Sequence, residues 1–207
     1  MKCPVKGLYA ITPDELQTAT LVEKVRHAIR GGAAVLQYRN KKASPQLART
    51  QVEALLPVCR EAGVPLIVND DVQLALDTHA DGVHLGREDG ALQGARERLG
   101  PDRLLGASCY DRMELAHEAI RLGADHIAFG SVFGSSTKPG AVRAPHSLFT
   151  QARALGVPLI AIGGITPSNA SEVIGAGADA VAVISALFDA PDIEAEARRF
   201  SRLFEAR

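Results

Sequence analysis

Short apolar runs recur along the chain about every 25 residues, and between them the apolar positions fall three and four apart. The first run is Gly7-Leu8-Tyr9-Ala10-Ile11. Leu21 to Ile29 has helical spacing and closes on Gly31-Gly32, followed by a second strand at Ala33–Arg39. A long helix starts at a Ser44 cap with Pro45 in its first turn and ends near Gly63. The third and fourth strands are expected at 64–69 and 80–85, separated by a short helix from Val72 to Asp77. Helical Leu92–Leu99 leads to a fifth strand at Arg103–Ser108, and helical Met113–Leu122 to a sixth at Asp125–Gly130. A Gly/Ser/Thr-rich loop, 131–144, precedes a helix around 146–155 and a seventh strand, Val157–Ile162. After Gly163-Gly164-Ile165-Thr166-Pro167 come a helix, an eighth strand (Ala178–Val183) and a last helix at about Glu194–Leu203.

Eight successive βα units predict an α/β chain folded as a single (β/α)8 TIM barrel over residues 1–207. The rival is an open, doubly wound sheet, which the regular continuation past six strands disfavours. Barrels average about 250 residues, so this one needs short loops. Glu61-Ala-Gly-Val-Pro-Leu-Ile, Arg121-Leu-Gly-Ala-Asp-His-Ile and Gly175-Ala-Gly-Ala-Asp-Ala-Val echo one another. Each reads as a helix end, a glycine stop and a new strand.

Bulk properties narrow the function by exclusion. The 207 residues are 46% apolar and 23% charged, with a formal net charge of −1. That is a globular composition with no global field to attract nucleic acid or anionic lipid, so neither is an expected partner. No apolar run reaches the roughly 20 residues of a membrane span. The start, Met-Lys-Cys-Pro-Val-Lys-Gly, lacks a signal-peptide core, which makes the cytoplasm the expected compartment. Cys3, Cys59 and Cys109 form no C-x-x-C pair and read as idle thiols. Histidines 27, 79, 84, 117, 126 and 146 show no H-x-x-x-H spacing, which argues against a zinc hydrolase.

Candidate chemistry lies where barrel enzymes keep it, at the C-terminal ends of strands. The third strand ends Asn69-Asp70-Asp71 and the fourth is followed by Asp89, so two carboxylates can share one rim. Such a pair suits Mg2+, which uses one or two carboxylates together with substrate phosphate and water. Either acid could instead cap a helix; Asp71 or its neighbour is expected to do so, leaving Asp70 to face the rim. After the second strand, alternation puts Gln37, Arg39 and Lys41 on one side, a polar row that can hold phosphate oxygens. His84 reads as a satisfied core histidine, and Ser108 ends the fifth strand as a potential ligand donor. Phe133-Gly134-Ser135-Ser136-Thr137-Lys138 lacks the Walker A order but offers hydroxyls, amides and a Lys as an anion cradle. Gly163-Gly164 and Ile184-Ser185 follow the last two strands, where barrels frequently bind phosphate.

Together these phrases resemble the thiamine-phosphate synthase family over essentially the whole chain. They are Gly7-Leu-Tyr-Ala-Ile-Thr, Gln37-x-Arg39-x-Lys41, Val68-Asn-Asp-Asp, His84-Leu-Gly-Arg-Glu-Asp89 and Gly106-Ala-Ser108. Phe133-Gly-Ser-Ser-Thr137-Lys138, Ile162-Gly-Gly-Ile-Thr and Val183-Ile184-Ser185 complete the set. The resemblance implies a Mg2+-dependent transferase that joins hydroxymethylpyrimidine diphosphate to thiazole phosphate and releases diphosphate. By the same resemblance Asp70 and Asp89 would hold Mg2+, and Gln37, Arg39, Lys41, Asn69 and Lys138 would bind the pyrimidine diphosphate. Ser108 would sit near the pyrimidine. Ser135, Thr137, Gly164, Ile184 and Ser185 would cradle the thiazole phosphate. Lys138, Arg39 and Ser108 form the expected catalytic set.

One segment departs from the family pattern, which usually reads Phe-Pro-Thr-x-Thr-Lys. Here Gly134 and Ser135 replace the Pro-Thr, which keeps a hydroxyl and restores backbone freedom. Two alternatives stay open: a thiazole tautomerase-like isomerase, and a non-catalytic protein that binds thiamine precursors. The sequence leaves open whether copies of the chain form a homo-oligomer.

Overall fold

The computed structural model describes residues 5–86, 92–134 and 143–205. The apolar runs become parallel strands β1 (Gly7–Ile11), β2 (Ala33–Tyr38), β3 (Leu66–Asn69) and β4 (Gly82–Leu85). They continue as β5 (Leu104–Tyr110), β6 (His126–Gly130), β7 (Leu159–Ile162) and β8 (Ala180–Val183). Each pairs with the next, and β8 returns to β1 through Ala10 opposite Val183, closing an eight-stranded barrel. The strands are near-continuous in apolar residues because both faces are covered.

Helices fill the intervals: α1 (Thr18–Arg30), α2 (Pro45–Ala62), α3 (Val72–Asp77), α4 (Leu92–Leu99) and α5 (Met113–Arg121). The rest are α6 (Ser147–Ala152), α7 (Ala170–Ala176), α8 (Ser185–Phe188) and α9 (Ile193–Glu205). Their apolar stripes do the packing; in α1, for example, Leu21, Val25 and Ala28 are fully buried. The Ser44 hydroxyl caps α2 by accepting from the Leu47 amide at 3.2 Å, and Gly63 ends it at φ +67°. Asp71 caps α3 by accepting from the Leu74 amide at 2.8 Å, which leaves Asp70 for the rim. The short α8 directly after β8 has no counterpart in the sequence reading; four residues are too few to show a helical period.

Apolar side chains form two layers. Outward residues of the strands pack under the helices. Inward residues, among them Tyr9, Val35, Ile67, Leu104, Ala128, Ile160 and Ala180, fill the barrel axis.

Several strands begin later than their apolar runs suggest, for an identifiable reason. Pro65 and Pro158 have no N–H, so they precede the ladder and contribute only carbonyls, to Leu36 and Ile127. Aspartates take over the polar role at the N-terminal mouth. Oδ2 of Asp81, Asp125 and Asp179 accepts from an amide in the first two residues of the preceding strand, Leu66 (2.8 Å), Leu105 (2.8 Å) and Leu159 (2.9 Å). In two of the echoed phrases Gly-Ala-Asp is therefore a clamp, set before β6 and β8, and His79-Ala80-Asp81 repeats it before β4. Asp125 also takes Arg96 Nη2 at 2.5 Å, and the other Arg96 donors reach the carbonyls of Gly100, Arg103 and Gly123.

Candidate active site

With stability devices at the N-terminal mouth, the opposite mouth carries half-exposed polar groups. Strand alternation sets their depth. Gln37 is inward and almost fully buried, its Nε2 donating to the Tyr9 hydroxyl at 2.9 Å. Burial raises the Tyr9 phenol above its ordinary range, which the Gln37 amide partly offsets. β2 ends at Tyr38, one residue short of the expected Arg39, and the chain leaves the sheet. Lys41 lies in a turn, so alternation does not carry it onto the same row; its side chain is exposed.

Arg39 is nonetheless fixed. Its amide donates to Thr12 Oγ1 (2.8 Å), and Thr12 returns a bond to the Arg39 carbonyl (2.8 Å). Asp14 organises the same corner: Oδ1 accepts from the Lys41 amide at 2.8 Å and lies 3.4 Å from Arg39 Nη1. Sequence reasoning passed over Asp14. The only signal was its place in Thr12-Pro13-Asp14, a turn directly after β1.

Asn69 and Asp70 end β3. Asp70 has φ +63°, a left-handed conformation that Asp tolerates better than most residues. That twist turns the carboxylate toward β4, where Oδ1 accepts from the Gly86 amide at 3.3 Å and Oδ2 from Asn69 Nδ2. The result is an anionic oxygen donor held on the rim. Asp89 lies outside the described residues, as do Ser135, Thr137 and Lys138. Among the described residues no three His, Cys, Asp or Glu side chains cluster as a metal cage. Mg2+ does not need one, since a carboxylate or two with phosphate oxygens suffices.

Ser108 does not end β5; the strand runs on to Tyr110, with a register shift between the two. Ser108 faces inward at half depth, and its Oγ lies 3.0 Å from His84 Nε2. His84 Nδ1 lies 3.3 Å from His126 Nε2, and the rings stack with centroids 5.5 Å apart. Burial lowers the His84 pKa to about 4 and carries that of His126 well below the ordinary range, with the charge of His84 adding to it. Both rings are neutral at pH 7. His84 is the expected core histidine; its pairing with His126, 42 residues away, was beyond any local pattern.

The last three strands supply a glycine-lined turn. Gly163 and Gly164 have φ +104° and +66°, and a Cβ on either would strike the chain at Ser131 or Phe133–Gly134. The stem of the 131–144 loop is tied to this turn. The Val132 and Phe133 amides donate to the carbonyls of Ile162 and Gly163, both at 3.0 Å. Asn169 braces it from beyond, donating to the Gly164 carbonyl (3.0 Å) and accepting from the Thr166 amide (2.8 Å). Ile184 and Ser185 follow β8 at the start of α8, next to β1 across the seam. So Gln37, Arg39, Asn69, Asp70, Ser108, Gly164, Ile184 and Ser185 share one mouth.

Known proteins give this mouth a context. Residues 8–187 match the family described as thiamine monophosphate synthase. A thiamine-phosphate synthase of Methylobacillus flagellatus is 58% identical over 201 residues, covering 97% of this chain and 96% of its own. One from Aromatoleum aromaticum is 55% identical over 203 residues, covering 98% of both chains. The solved thiamine phosphate pyrophosphorylase of Pyrococcus furiosus superposes with a TM-score of 0.87 at 36% identity, covering 97% and 96%. With the barrel, its rim and this full-length likeness in agreement, the chain belongs to the thiamine monophosphate synthase family.

Proposed function

We propose that this chain is a thiamine-phosphate synthase, a transferase that joins hydroxymethylpyrimidine diphosphate to thiazole phosphate and releases diphosphate. The observation that carries this reading is the convergence of cationic, acidic and glycine-rich strand ends on one mouth of a barrel whose whole length resembles such enzymes.

The chemistry asks little covalent help from the protein. The carbon–oxygen bond of the pyrimidine methylene breaks, and its electron pair leaves with diphosphate. The aminopyrimidine ring bears the positive charge left on carbon, and the thiazole nitrogen adds there. Departing charge is the main barrier, so fixed cations are the main aid. Arg39, Lys41 and Lys138 would bind the diphosphate. Arg39 would meet it from a fixed position, because Thr12 and Asp14 hold its backbone and its guanidinium. Asn69 would add an amide donor to the same group, and Gln37 would hold the pyrimidine from below. Ser108 would face the pyrimidine.

Asp70, with Asp89, would hold Mg2+. The donor chemistry fits: a carboxylate anchored by a neighbouring amide at the strand end is a hard oxygen ligand beside the expected phosphate site. When bound, Mg2+ supplies positive charge that stabilises the leaving diphosphate. Amides at Gly164 and Ser185, with the hydroxyls of Ser135 and Thr137 and the backbone at Ile184, would cradle the thiazole phosphate. Exclusion of water matters because water is the competing nucleophile, and the 131–144 loop, by its sequence position after β6, would be the segment to provide it. Among the described residues no helix is long and apolar enough to cross a membrane. A cytoplasmic location is part of this proposal.

The test mixes purified protein with both phosphorylated heterocycles, with and without Mg2+, and follows thiamine phosphate and diphosphate. Stoichiometric formation of both products, abolished by chelation, is the expected result. Absence of thiamine phosphate overturns the reading.

A further inference from the structure

A polar line runs from the middle of the barrel to its active mouth. β4, β5 and β6 place His84, Gly106 and His126 side by side on the inward face. Gly106 contributes no side chain, and the two imidazoles close over it to reach 3.3 Å. A Cβ on Gly106 would collide with both rings, so this glycine is a condition of their contact. One pleat higher on β5, Ser108 Oγ meets His84 Nε2 at 3.0 Å. Around them the interior is apolar apart from the Tyr9–Gln37 pair, whose tyrosine ring centroid lies 6.1 Å from that of His126. His126 is fully buried, and its Nδ1 has no hydrogen-bonding partner among the described residues. Stability alone would favour an apolar residue there, since an unsatisfied buried polar atom is costly.

Counting protons fixes the direction of the line. Each neutral imidazole carries one N–H. If Ser108 donated to His84, and His84 Nδ1–H to His126, the proton of His126 would sit on Nδ1 as a buried, orphaned donor. In the reverse order His126 Nε2–H donates to His84 Nδ1, and His84 Nε2–H donates to Ser108 Oγ. The unpartnered atom is then a bare acceptor, the rarer defect being an orphaned N–H. The second order leaves the Ser108 hydroxyl hydrogen unused by His84 and free to rotate toward a ligand at the mouth.

We propose that His84 and His126 are positioning residues that fix the Ser108 hydroxyl as a hydrogen-bond donor, selecting a heterocycle that presents an acceptor atom at that point. The inference rests on the synthase reading, with the pyrimidine as that heterocycle. Gly106 belongs to the same device as the residue that lets the rings meet.

The first measurement uses the unaltered protein with ring-15N-labelled histidine, in long-range 1H–15N spectra near pH 7.5. Nε2–H tautomers for both His84 and His126 are expected; an Nδ1–H tautomer at either overturns the proposal. This readout does not depend on turnover, so a protein that makes no thiamine phosphate defeats the synthase reading and leaves the line testable. The second measurement is kinetic. His126→Phe keeps an aromatic ring, somewhat larger than imidazole, but removes the donor to His84, and should raise the KM for pyrimidine diphosphate roughly tenfold, the size of one hydrogen bond. The KM for thiazole phosphate should stay within about twofold, a split that general loosening would not give. His84→Gln retains an amide donor and should recover most of what His84→Leu loses. In a Ser108→Ala background, His126→Phe should add nothing further. An equal rise in both KM values, or an undiminished effect without Ser108, overturns the proposal.

Discussion

Replacing Asp125 by Ala at the N-terminal mouth should be far more damaging than the equivalent change at Asp81 or Asp179. All three carboxylates accept an amide from the start of the preceding strand, at 2.8, 2.8 and 2.9 Å for Asp81, Asp125 and Asp179. Leu66, Leu105 and Leu159 are buried, so each stranded N–H costs about 1–3 kcal/mol, with Asp81 lowest because its side chain is exposed. Only Asp125 also holds Arg96, with side-chain exposures of 19% for Arg96 and 21% for Asp125. Losing that charge-assisted bond brings the total at Asp125 to about 3–5 kcal/mol. For a chain of 207 residues, 1 kcal/mol shifts Tm by about 2–4 °C. The expected falls are therefore about 10 °C for Asp125→Ala, about 5 °C for Asp179→Ala and about 2 °C for Asp81→Ala. Urea melts and calorimetry would measure them. At 25 °C the variants should keep kcat/KM within about twofold, because the chemistry is at the other mouth. Equal losses at Asp125 and Asp179 would refute the role given to Arg96. Negligible losses at all three would refute the clamps.

Asp70→Ala should cut kcat/KM by roughly 10²–10³-fold while the melting curve stays near that of the parent, since a rim charge matters most as diphosphate departs; near-normal turnover would remove Asp70 from the metal site. Stability should be complete above pH 6.5 and fall between pH 6.5 and 4, because the unfolded chain protonates His84 and His126 where the folded chain does not. A shift of His84 to about 4 corresponds to about 3 kcal/mol, and His126→Phe should flatten that limb in denaturant melts at several pH values. Burial pushes the Cys59 and Cys109 thiols up to about 12, so iodoacetamide at pH 8 should leave both unmodified in the folded protein by mass spectrometry and label both in urea. Gly134→Pro should lower the KM for thiazole phosphate by about two- to fivefold: Gly134 lacks a left-handed φ, and a Cβ there meets only the tip of Arg143 at 3.2 Å. An unchanged or higher KM would show that restoring the family's proline does not stiffen the loop to any effect.

Periodicity in the amino-acid sequence determined the eight βα units, because buried strands and amphipathic helices each leave a local mark at their own period. It also marked the rim, since Asn69-Asp70 and Gly163-Gly164 interrupt apolar runs where the ladder stops. Glycine spacing and the Asp71 cap were legible for the same reason: their causes lie within three or four residues. Tertiary structure alone decided what depends on ring closure. The fixing of Arg39 by Thr12 and Asp14 joins β2 to the turn after β1. The twist of Asp70 toward Gly86 joins β3 to the end of β4. The stacking of His84 on His126 over Gly106 spans three strands. None of these contacts has a sequence period, because a barrel brings residues together by strand order and depth along its axis, and a one-residue change of register would have turned His84 or His126 to the opposite face of the sheet.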